Sequence, residues 1–221
     1  MQWVFTRSGM AASNIWEAGG LIRGNHQVTY PNLQYHFGPV GFEYSDGDIK
    51  LLQAFAIHVD QLRPRSTGSI WLKSGNPYDK PAMHFEYLAD PGDLDELVEG
   101  VHKIRELVGQ QAFDDLRGVE LVPGPQVGSD AEIRDWIRSA VTTDFHPCGT
   151  CRMGHGADAV VDDEMRVYGV EGLRVVDASV IPQIMSGNLN APTQMIASRA
   201  ADYICGALQL APANVSFAFE P

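Results

Sequence analysis

Residues 144–154 read Asp-Phe-His-Pro-Cys-Gly-Thr-Cys-Arg-Met-Gly, and residues 173–190 read Leu-Arg-Val-Val-Asp-Ala-Ser-Val-Ile-Pro-Gln-Ile-Met-Ser-Gly-Asn-Leu-Asn. The first segment is a loop rich in turn-forming residues, and it carries His146. The second opens with Leu-Arg-Val-Val at 173–176, a largely apolar stretch that predicts a buried strand, and it leads into a predicted helix over 192–207 with proline near its first turn. We expect the chain between the two segments to return to one pocket, where His146 and Asn188 would meet.

Upstream of these segments, residues 1–90 contain short apolar and aromatic runs broken by Gly, Pro, Asn and Asp, a pattern typical of strands joined by turns. The predicted strands lie at 15–23, 33–42, 55–62, 69–73 and 83–85. Because these runs follow one another with little helix between them, they predict an antiparallel sheet.

Two amphipathic helices are predicted after this sheet. The first begins near Asp93, and its apolar residues recur at three- and four-residue steps with charges on the opposite face. These apolar residues are Leu94, Leu97, Val98, Val101, Ile104, Leu107 and Val108. The second helix is indicated by Ser129 and Glu132, which fit a capping box, and it continues to Ala140. The predicted fold class is α+β, an antiparallel sheet backed by helices.

The composition indicates a globular protein with an acidic surface. Of the 221 residues, 44% are hydrophobic, and the net charge is −12. This charge argues against nucleic acid or anionic lipid as a partner, and it favours cationic small molecules. No run approaches the ~18 apolar residues that a transmembrane helix needs, and the first residues do not resemble a signal peptide. Three cysteines favour a reducing compartment, so we expect a cytoplasmic protein.

The two quoted segments resemble the active-site half of the glucose-methanol-choline (GMC) family of flavin-dependent alcohol oxidoreductases. Residues 12–23, 31–37 and 63–74 extend the resemblance to the substrate domain of the choline-oxidising branch. The family places a Gly-x-Gly-x-x-Gly turn for dinucleotide binding near the start of a longer chain, and these 221 residues contain no such sequence. The resemblance therefore implies the C-terminal portion of an enzyme.

This resemblance also implies a division of the chain. Residues 1–145 would form the substrate-binding domain, and residues 146–221 would supply the active-site loop with the C-terminal strand and helix of the FAD-binding domain. The N-terminal FAD-binding part would then be a partner of this piece, which we expect to be inactive alone. Surface left exposed without that partner also predicts self-association, including a homodimer. Association of the full-length enzyme with a membrane is left open.

Within the GMC resemblance, His146 is the implied catalytic base and Asn188 its partner. Oxidation of an alcohol by hydride transfer requires the hydroxyl proton to leave, and an imidazole with an ordinary pKa of about 6.5 suits this role. Asn188 would hydrogen-bond the substrate oxygen. Asp144 departs from the family, where a small apolar residue is common. A carboxylate there would favour the charged form of His146 or belong to a different substrate preference.

The cofactor implied by the resemblance is FAD, and two chain segments would contact it. The backbone of Asp177 and Ala178 would reach the ribityl-phosphate region at the end of the predicted strand. Asn190, Pro192 and Thr193 would bond or pack at the pyrimidine side of the flavin ring, where a helix N-terminus favours negative charge. The alternative reading of Asn188 and Asn190 is that either one caps the helix.

The substrate implied by the resemblance is choline or a similar small primary alcohol, on the pathway to glycine betaine. A quaternary ammonium group forms no hydrogen bonds, so aromatic faces and one negative charge must hold it. Glu17 and Trp16 would supply these groups, while His36 and Phe42 match further positions of the same pocket. The alternative for His36 and Phe42 is core packing, and for Glu17 it is an exposed strand edge.

Two other readings remain open from the residues alone. His146, Cys148, Cys151 and His155 are four potential zinc ligands within one loop, whereas structural zinc sites usually join separated pairs. We expect no metal here, and we expect the two cysteines to be packing residues rather than a redox pair. The other alternative is a non-catalytic binding module of the same fold.

Overall fold

The computed structural model describes residues 2–9, 12–45 and 48–211. The chain divides into two compact units. Unit one comprises Met1–Gln61 and Asp90–Ala140, and unit two comprises Leu62–Ala89 and Val141–Pro221. Residues 62–89 thus group with the C-terminal residues, although the sequence placed them in a domain over 1–145. The substrate-binding and flavin-binding roles assigned to 1–145 and 146–221 stay predictions.

Unit one combines antiparallel strands with helices. Its elements are α1 (Gln2–Thr6), β1 (Ala18–Ile22), β2 (Leu33–Gly38), β3 (Gly41–Ser45), β4 (Asp48–Leu52), β5 (Ala56–Gln61), α2 (Pro91–Val108) and α3 (Asp130–Ala140), with a 3₁₀ helix at Gln111–Phe113. The main sheet has the order β1-β2-β5, and β3 pairs with β4 in a separate ribbon. Both sheets are antiparallel, and the α+β prediction is confirmed.

The strands differ from the sequence prediction in two places. The single strand predicted over 33–42 is divided into β2 and β3 between Gly38 and Gly41. Pro39 lies in this interval, and proline has no N–H to continue a ladder. The sequence prediction missed β4, although the Asp-Gly pair at 46–47 is a hairpin signal.

Helix α2 packs on β5, as its apolar stripe predicted. Asp90 caps the helix by accepting a hydrogen bond from the Gly92 N–H at 2.8 Å. The Tyr35 hydroxyl of β2 donates to the Gly100 carbonyl at 2.9 Å, and burial, followed by the charge of Glu106, raises the Tyr35 pKa above its usual range. The buried apolar residues of this unit are Leu33, Tyr35, Leu94, Leu97, Val98, Val101, Ile133 and Ile137.

The predicted capping box begins α3. The Ser129 N–H donates to the Glu132 carboxylate at 2.9 Å, and the Glu132 N–H donates to the Ser129 hydroxyl oxygen at 3.3 Å. The first of these bonds is the main reason why the pKa of Glu132 is lowered. Helix α3 then packs on α2 through Ile133 and Ile137.

Unit two contains β6 (Ser69–Trp71), β7 (Ala82–His84), α4 (Asn190–Cys205) and a 3₁₀ helix at Ala178–Val180. Strands β6 and β7 form an antiparallel ribbon by themselves. The large apolar side chains of the ribbon, Ile70, Trp71 and Met83, are exposed, as are Leu72 and Phe85, which directly follow the two strands. The buried centre of the unit is Val161, Met165, Val180 and Ala200.

The strand predicted over 173–176 is wrong, as is the strand end predicted at Val175 to Ala178. Arg174 forms one isolated bridge with Arg166, and Val175 donates a single backbone hydrogen bond to the Met165 carbonyl at 3.1 Å. Val175 and Val176 pack against the centre of unit two, which explains their apolar character. In place of a strand end, Asp177 caps the short 3₁₀ helix.

The helix predicted over 192–207 is confirmed, although it begins and ends two residues earlier in the chain. Helix α4 begins at Asn190, keeps proline in its first turn, and ends at Cys205 before Gly206. Gly206 takes a left-handed conformation with φ of 65°, the usual role of glycine after a helix. No helix within the described ranges is both long enough and apolar enough to cross a membrane.

Candidate active site

Backbone hydrogen bonds connect the loop around His146 to the 3₁₀ helix at Ala178–Val180. The Cys151 N–H donates to the Ser179 carbonyl and the Met153 N–H donates to the Val180 carbonyl, each at 2.9 Å. Gly149 lies between His146 and these bonds with φ of 85°, a conformation that glycine adopts without strain. Two segments separated in sequence, both quoted at the start, are thereby joined through their backbones.

The structure brings His146 and Asn188 together. The Asn188 side-chain nitrogen lies 2.8 Å from Nε2 of His146. An amide nitrogen is a hydrogen-bond donor, so this distance fits a bond from Asn188 to Nε2 when the ring proton is on Nδ1. Nε2 also lies 3.8 Å from the Asp144 carboxylate, which is an ion-pair distance but too long for a hydrogen bond. The catalytic role of His146 and Asn188 stays a prediction.

The residues predicted to contact a flavin all lie in unit two. The Asp177 carboxylate is engaged within the chain, because it accepts hydrogen bonds from the Ser179 N–H at 2.8 Å and from the Ser179 hydroxyl at 2.5 Å. Asn190 opens α4, and its side-chain oxygen accepts from Gln194 at 2.9 Å. Ala178, Pro192 and Thr193 are half-buried.

The alternative reading of Asn188 or Asn190 as a helix cap is wrong. Leu189 occupies the N-cap position of α4 and makes no capping hydrogen bond with its side chain. The two asparagine side chains are instead directed to His146 and to Gln194. The N-cap residue of α4 therefore supplies no side-chain cap of its own.

One polar residue of this turn escaped the sequence analysis. The Ser186 hydroxyl is buried and has no hydrogen-bond partner within the described part of the chain. An unpartnered buried hydroxyl costs free energy, so it points to a polar group that completes the site. Next to it, a side chain at Gly187 would meet open space. A hydroxyl, amides and a helix start fit the polar edge of a flavin ring.

The residues predicted to bind substrate lie in unit one, around Trp16. The Trp16 ring contacts His36, Phe42 and His58 edge-on, with ring centres 6.0, 6.3 and 4.9 Å away. His58 was missed in the sequence, although it lies directly opposite His36 in the β2–β5 register. Nε2 of His36 lies 3.0 Å from the Asp60 carboxylate, which is an ion-pair distance. The two atoms do not have the geometry of a hydrogen bond.

Beside this aromatic cluster lies an open cavity of about 390 Å³. It is lined by residues that include Trp16, Glu17, Tyr35 and His36. Glu17 is exposed there, whereas His36 and Phe42 are half-buried. His36 and Phe42 are therefore not fully buried core residues, because their rings belong to a cluster that reaches the surface.

Cys148 and Cys151, beside His146, are half-buried and form no disulfide, and Cys205 is exposed. Burial raises the pKa of the Cys148 thiol, which disfavours the thiolate needed for redox chemistry or metal binding. Over the described residues, no group of three potential ligand side chains gathers in the loop of Cys148 and Cys151. Packing remains the role we predict for these two cysteines.

Comparison with known proteins was made for sequence and for fold. The sequence model described as GMC oxidoreductase matches residues 64–197. An oxygen-dependent choline dehydrogenase of Klebsiella pneumoniae subsp. pneumoniae is 46% identical over 205 residues, which are 93% of this chain and 37% of that protein. This chain therefore spans well under half the length of the curated relative.

Solved structures resemble the fold as well. Pyridoxine 4-oxidase from Mesorbium loti has a TM-score of 0.74 at 27% identity, covering 86% of this chain and 38% of the other. The R554A variant of formate oxidase from Aspergillus oryzae has a TM-score of 0.80 at 25% identity, covering 92% and 40%. Fold and relatives together define the class, which is that of oxidoreductases.

The chain belongs to the GMC oxidoreductase family, and it matches the C-terminal portion of that family. Members of this family are flavoproteins, typically with FAD. The resemblance predicted from residues 144–154 and 173–190 is confirmed.

Proposed function

We propose that a full-length protein containing this chain oxidises choline, or a similar primary alcohol with a cationic head group, with FAD as cofactor. The observation that carries this proposal is the 2.8 Å contact between His146 and Asn188. This contact places a candidate proton acceptor and a candidate hydrogen-bond donor next to each other in unit two. The N-terminal FAD-binding part of the full-length protein is the implied partner.

In this mechanism, Nε2 of His146 accepts the hydroxyl proton of the alcohol. The position of the Asn188 amide nitrogen, 2.8 Å from Nε2, supports this role, because an unprotonated Nε2 would accept a hydrogen bond there. An alcohol that enters between the two side chains would donate to Nε2 and accept from the Asn188 amide. This second bond strengthens as negative charge develops on the oxygen, so it favours the transition state over the bound substrate. The protonated imidazole would then stabilise the alkoxide.

The cofactor would be held by Asp177, Ala178, Asn190, Pro192 and Thr193, with Ser186 as an added polar contact. Bound there, FAD supplies the acceptor for the hydride that leaves the alcohol carbon. The start of α4 favours negative charge in its neighbourhood, because helix dipoles place partial positive charge at their N-termini. The unpartnered Ser186 hydroxyl supports this assignment.

Substrate selection is assigned to the cluster in unit one. Glu17 would neutralise the trimethylammonium group, and Trp16, His36 and Phe42 would supply the ring surfaces that such a cation prefers. The name of the Klebsiella relative, a choline dehydrogenase, supports the same substrate.

The test of this function is His146→Ala in the full-length enzyme. Loss of a positioned acid-base group should lower turnover by about 10²–10⁴-fold, while flavin absorbance shows that the cofactor is retained. His155→Ala is the matched control, because His155 lies in the same unit, is exposed and contacts Asp163 at 3.3 Å. A His146→Ala enzyme that turns over within a few-fold of the parent would contradict the catalytic role of His146.

A further inference from the structure

The three-stranded sheet of unit one has two faces with different neighbours. Tyr35 and Val59 are partners in the β2–β5 register, and both lie against Gly100 of α2. Because side chains alternate along a strand, the next pair in the register, His36 and His58, belongs to the opposite face. The face away from α2 therefore presents polar and aromatic side chains.

The indole ring of Trp16 lies on this face, in a slot formed by four residues. Three of them, His36, Phe42 and His58, are the ring neighbours already described. The fourth is Gly38, which follows His36 by two residues in β2 and so belongs to the same face. A Cβ at Gly38 would lie 3.0, 3.3 and 3.7 Å from Cζ3, Cε3 and Cη2 of Trp16. These carbons belong to the six-membered ring, which therefore packs directly on the Gly38 backbone.

Space, rather than backbone conformation, accounts for the glycine at position 38. Gly38 is the last residue of β2, and it does not have the positive φ that favours glycine. Carbon atoms in contact are ordinarily about 3.5–4.0 Å apart, so a methyl group at Gly38 would be too close to the indole. The three atoms nearest to such a methyl group all belong to Trp16. A residue without a side chain at this position thus leaves room for the Trp16 ring.

We propose that Gly38 is a positioning residue for Trp16, and that the slot thereby helps to set the selectivity for the head group of the substrate. Trp16 also lines the open cavity beside Glu17. A ring displaced from the slot would move away from the face of the sheet, and it would no longer offer the same surface to a ligand in that cavity. The link to the substrate rests on the proposed function, whereas the placement of Trp16 can be tested apart from it.

The first test follows the position of Trp16 in the full-length enzyme labelled with ¹⁵N-tryptophan. Each indole N–H gives one NMR signal, and the signal that Trp16→Phe removes belongs to Trp16. Gly38→Val adds a side chain that suits a strand, and it should shift this signal because the new side chain fills the slot. The signal of Trp136, in α3 of the same unit, should stay in place and show that the unit is folded. Gly118→Val is the matched control, since a Cβ at Gly118 would meet open space, and it should leave the Trp16 signal unchanged.

The second test measures ligand binding by the same enzyme. Gly38→Val should weaken the binding of choline and of its neutral analogue 3,3-dimethylbutanol by about tenfold each, because both ligands lose the ring surface of Trp16. Gly38→Ala adds a shorter side chain, so it should give a smaller loss for both ligands, and it replaces the valine variant if that variant does not fold. In a Trp16→Phe background, Gly38→Val should cause little further loss, because the smaller ring leaves room for the new side chain.

An unchanged Trp16 signal in both Gly38 variants would overturn the proposal, and so would unchanged binding of both ligands. A loss confined to choline would also overturn it, because it would show an effect of charge rather than of ring position. A full further loss in the Trp16→Phe background would show that Gly38 acts without Trp16. If the parent enzyme did not bind choline, the proposed function would fail, and the indole signals would still decide whether Gly38 positions Trp16.

Discussion

Glu17 is the residue on which the substrate assignment depends. It follows Trp16, precedes β1, and lines an open cavity next to the aromatic cluster. A carboxylate at this position attracts any cation, whereas a trimethylammonium group also requires ring faces in contact with its methyl groups. Charge and packing must therefore be separated by experiment.

Glu17→Gln in the full-length enzyme removes the charge and keeps the shape. We expect choline binding to weaken by about 1–3 kcal/mol, the size of a lost charged contact in a partly desolvated site. Binding of 3,3-dimethylbutanol, which fills the same volume without charge, should hardly change. Inhibition constants for both ligands would measure this difference.

The matched control is Glu171→Gln, because Glu171 is an exposed glutamate in unit two. It should leave both ligands unaffected. Equal losses for choline and its neutral analogue in Glu17→Gln would mean that Glu17 acts through the fold, and the choline assignment would lose its electrostatic support.

At this scale, motifs predicted part of the candidate site. His146 and Asn188 could be named because the segments around them are distinctive, and the structure brings them to 2.8 Å. Ser186 and His58 could not be named. Their places in the site depend on a buried hydroxyl without a partner in the described residues and on a strand register, and residue type alone predicts neither.

At the scale of elements, the contact between α2 and β5 shows how unit one is packed. A Cβ at Gly100 would lie 2.6 Å from Cγ2 of Val59, closer than atoms in proteins approach one another. The helix therefore rests on the strand at a point where only glycine fits. The Tyr35 hydroxyl bond to the same residue fixes the helix on the neighbouring strand.

Gly100→Ala should destabilise the chain by about 1–3 kcal/mol in the free energy of unfolding, because overpacking displaces the helix. Urea unfolding monitored by circular dichroism would measure the change. Gly118→Ala is the control, since a Cβ at Gly118 would meet open space. In the pair Gly100→Ala with Val59→Ala, the loss should be smaller than the sum of the single losses. Additive losses would contradict the predicted contact.

Periodicity predicted the helices better than the strands. The stripe along α2 and the capping box of α3 are local signals, and both helices formed where they were expected. The segment at 173–176 was predicted as a strand because three of its four residues are apolar, yet a strand also requires a neighbouring strand to complete its ladder. Val175 and Val176 pack on the centre of unit two without belonging to a strand.

At the scale of the whole molecule, the candidate residues fall into two sets. Glu17 and its aromatic neighbours belong to unit one, while His146, Asn188 and the predicted flavin contacts belong to unit two. The GMC resemblance implied a division at 145/146, whereas the grouping of residues 62–89 with residues 141–221 depends on contacts distant in sequence, for which the chain carries no local signal.

We expect this 221-residue chain to purify without colour and not to oxidise choline. It contains no Gly-x-Gly-x-x-Gly sequence, and it spans 37% of the length of its Klebsiella relative. An absorbance spectrum from 300 to 550 nm, taken before and after incubation with excess FAD and desalting, would measure bound flavin. The full-length protein is the positive control. A yellow chain with stoichiometric flavin would contradict this expectation.

The ribbon of β6 and β7 has one practical consequence. Trp71 lies in β6 and is 52% exposed. Indole emission responds to the polarity of its surroundings, so this tryptophan is a native optical reporter for anything that covers the ribbon. Iodide, a collisional quencher that reaches only accessible rings, would distinguish a covered Trp71 from an open one, and a Trp71→Phe chain would provide the background from the other three tryptophans.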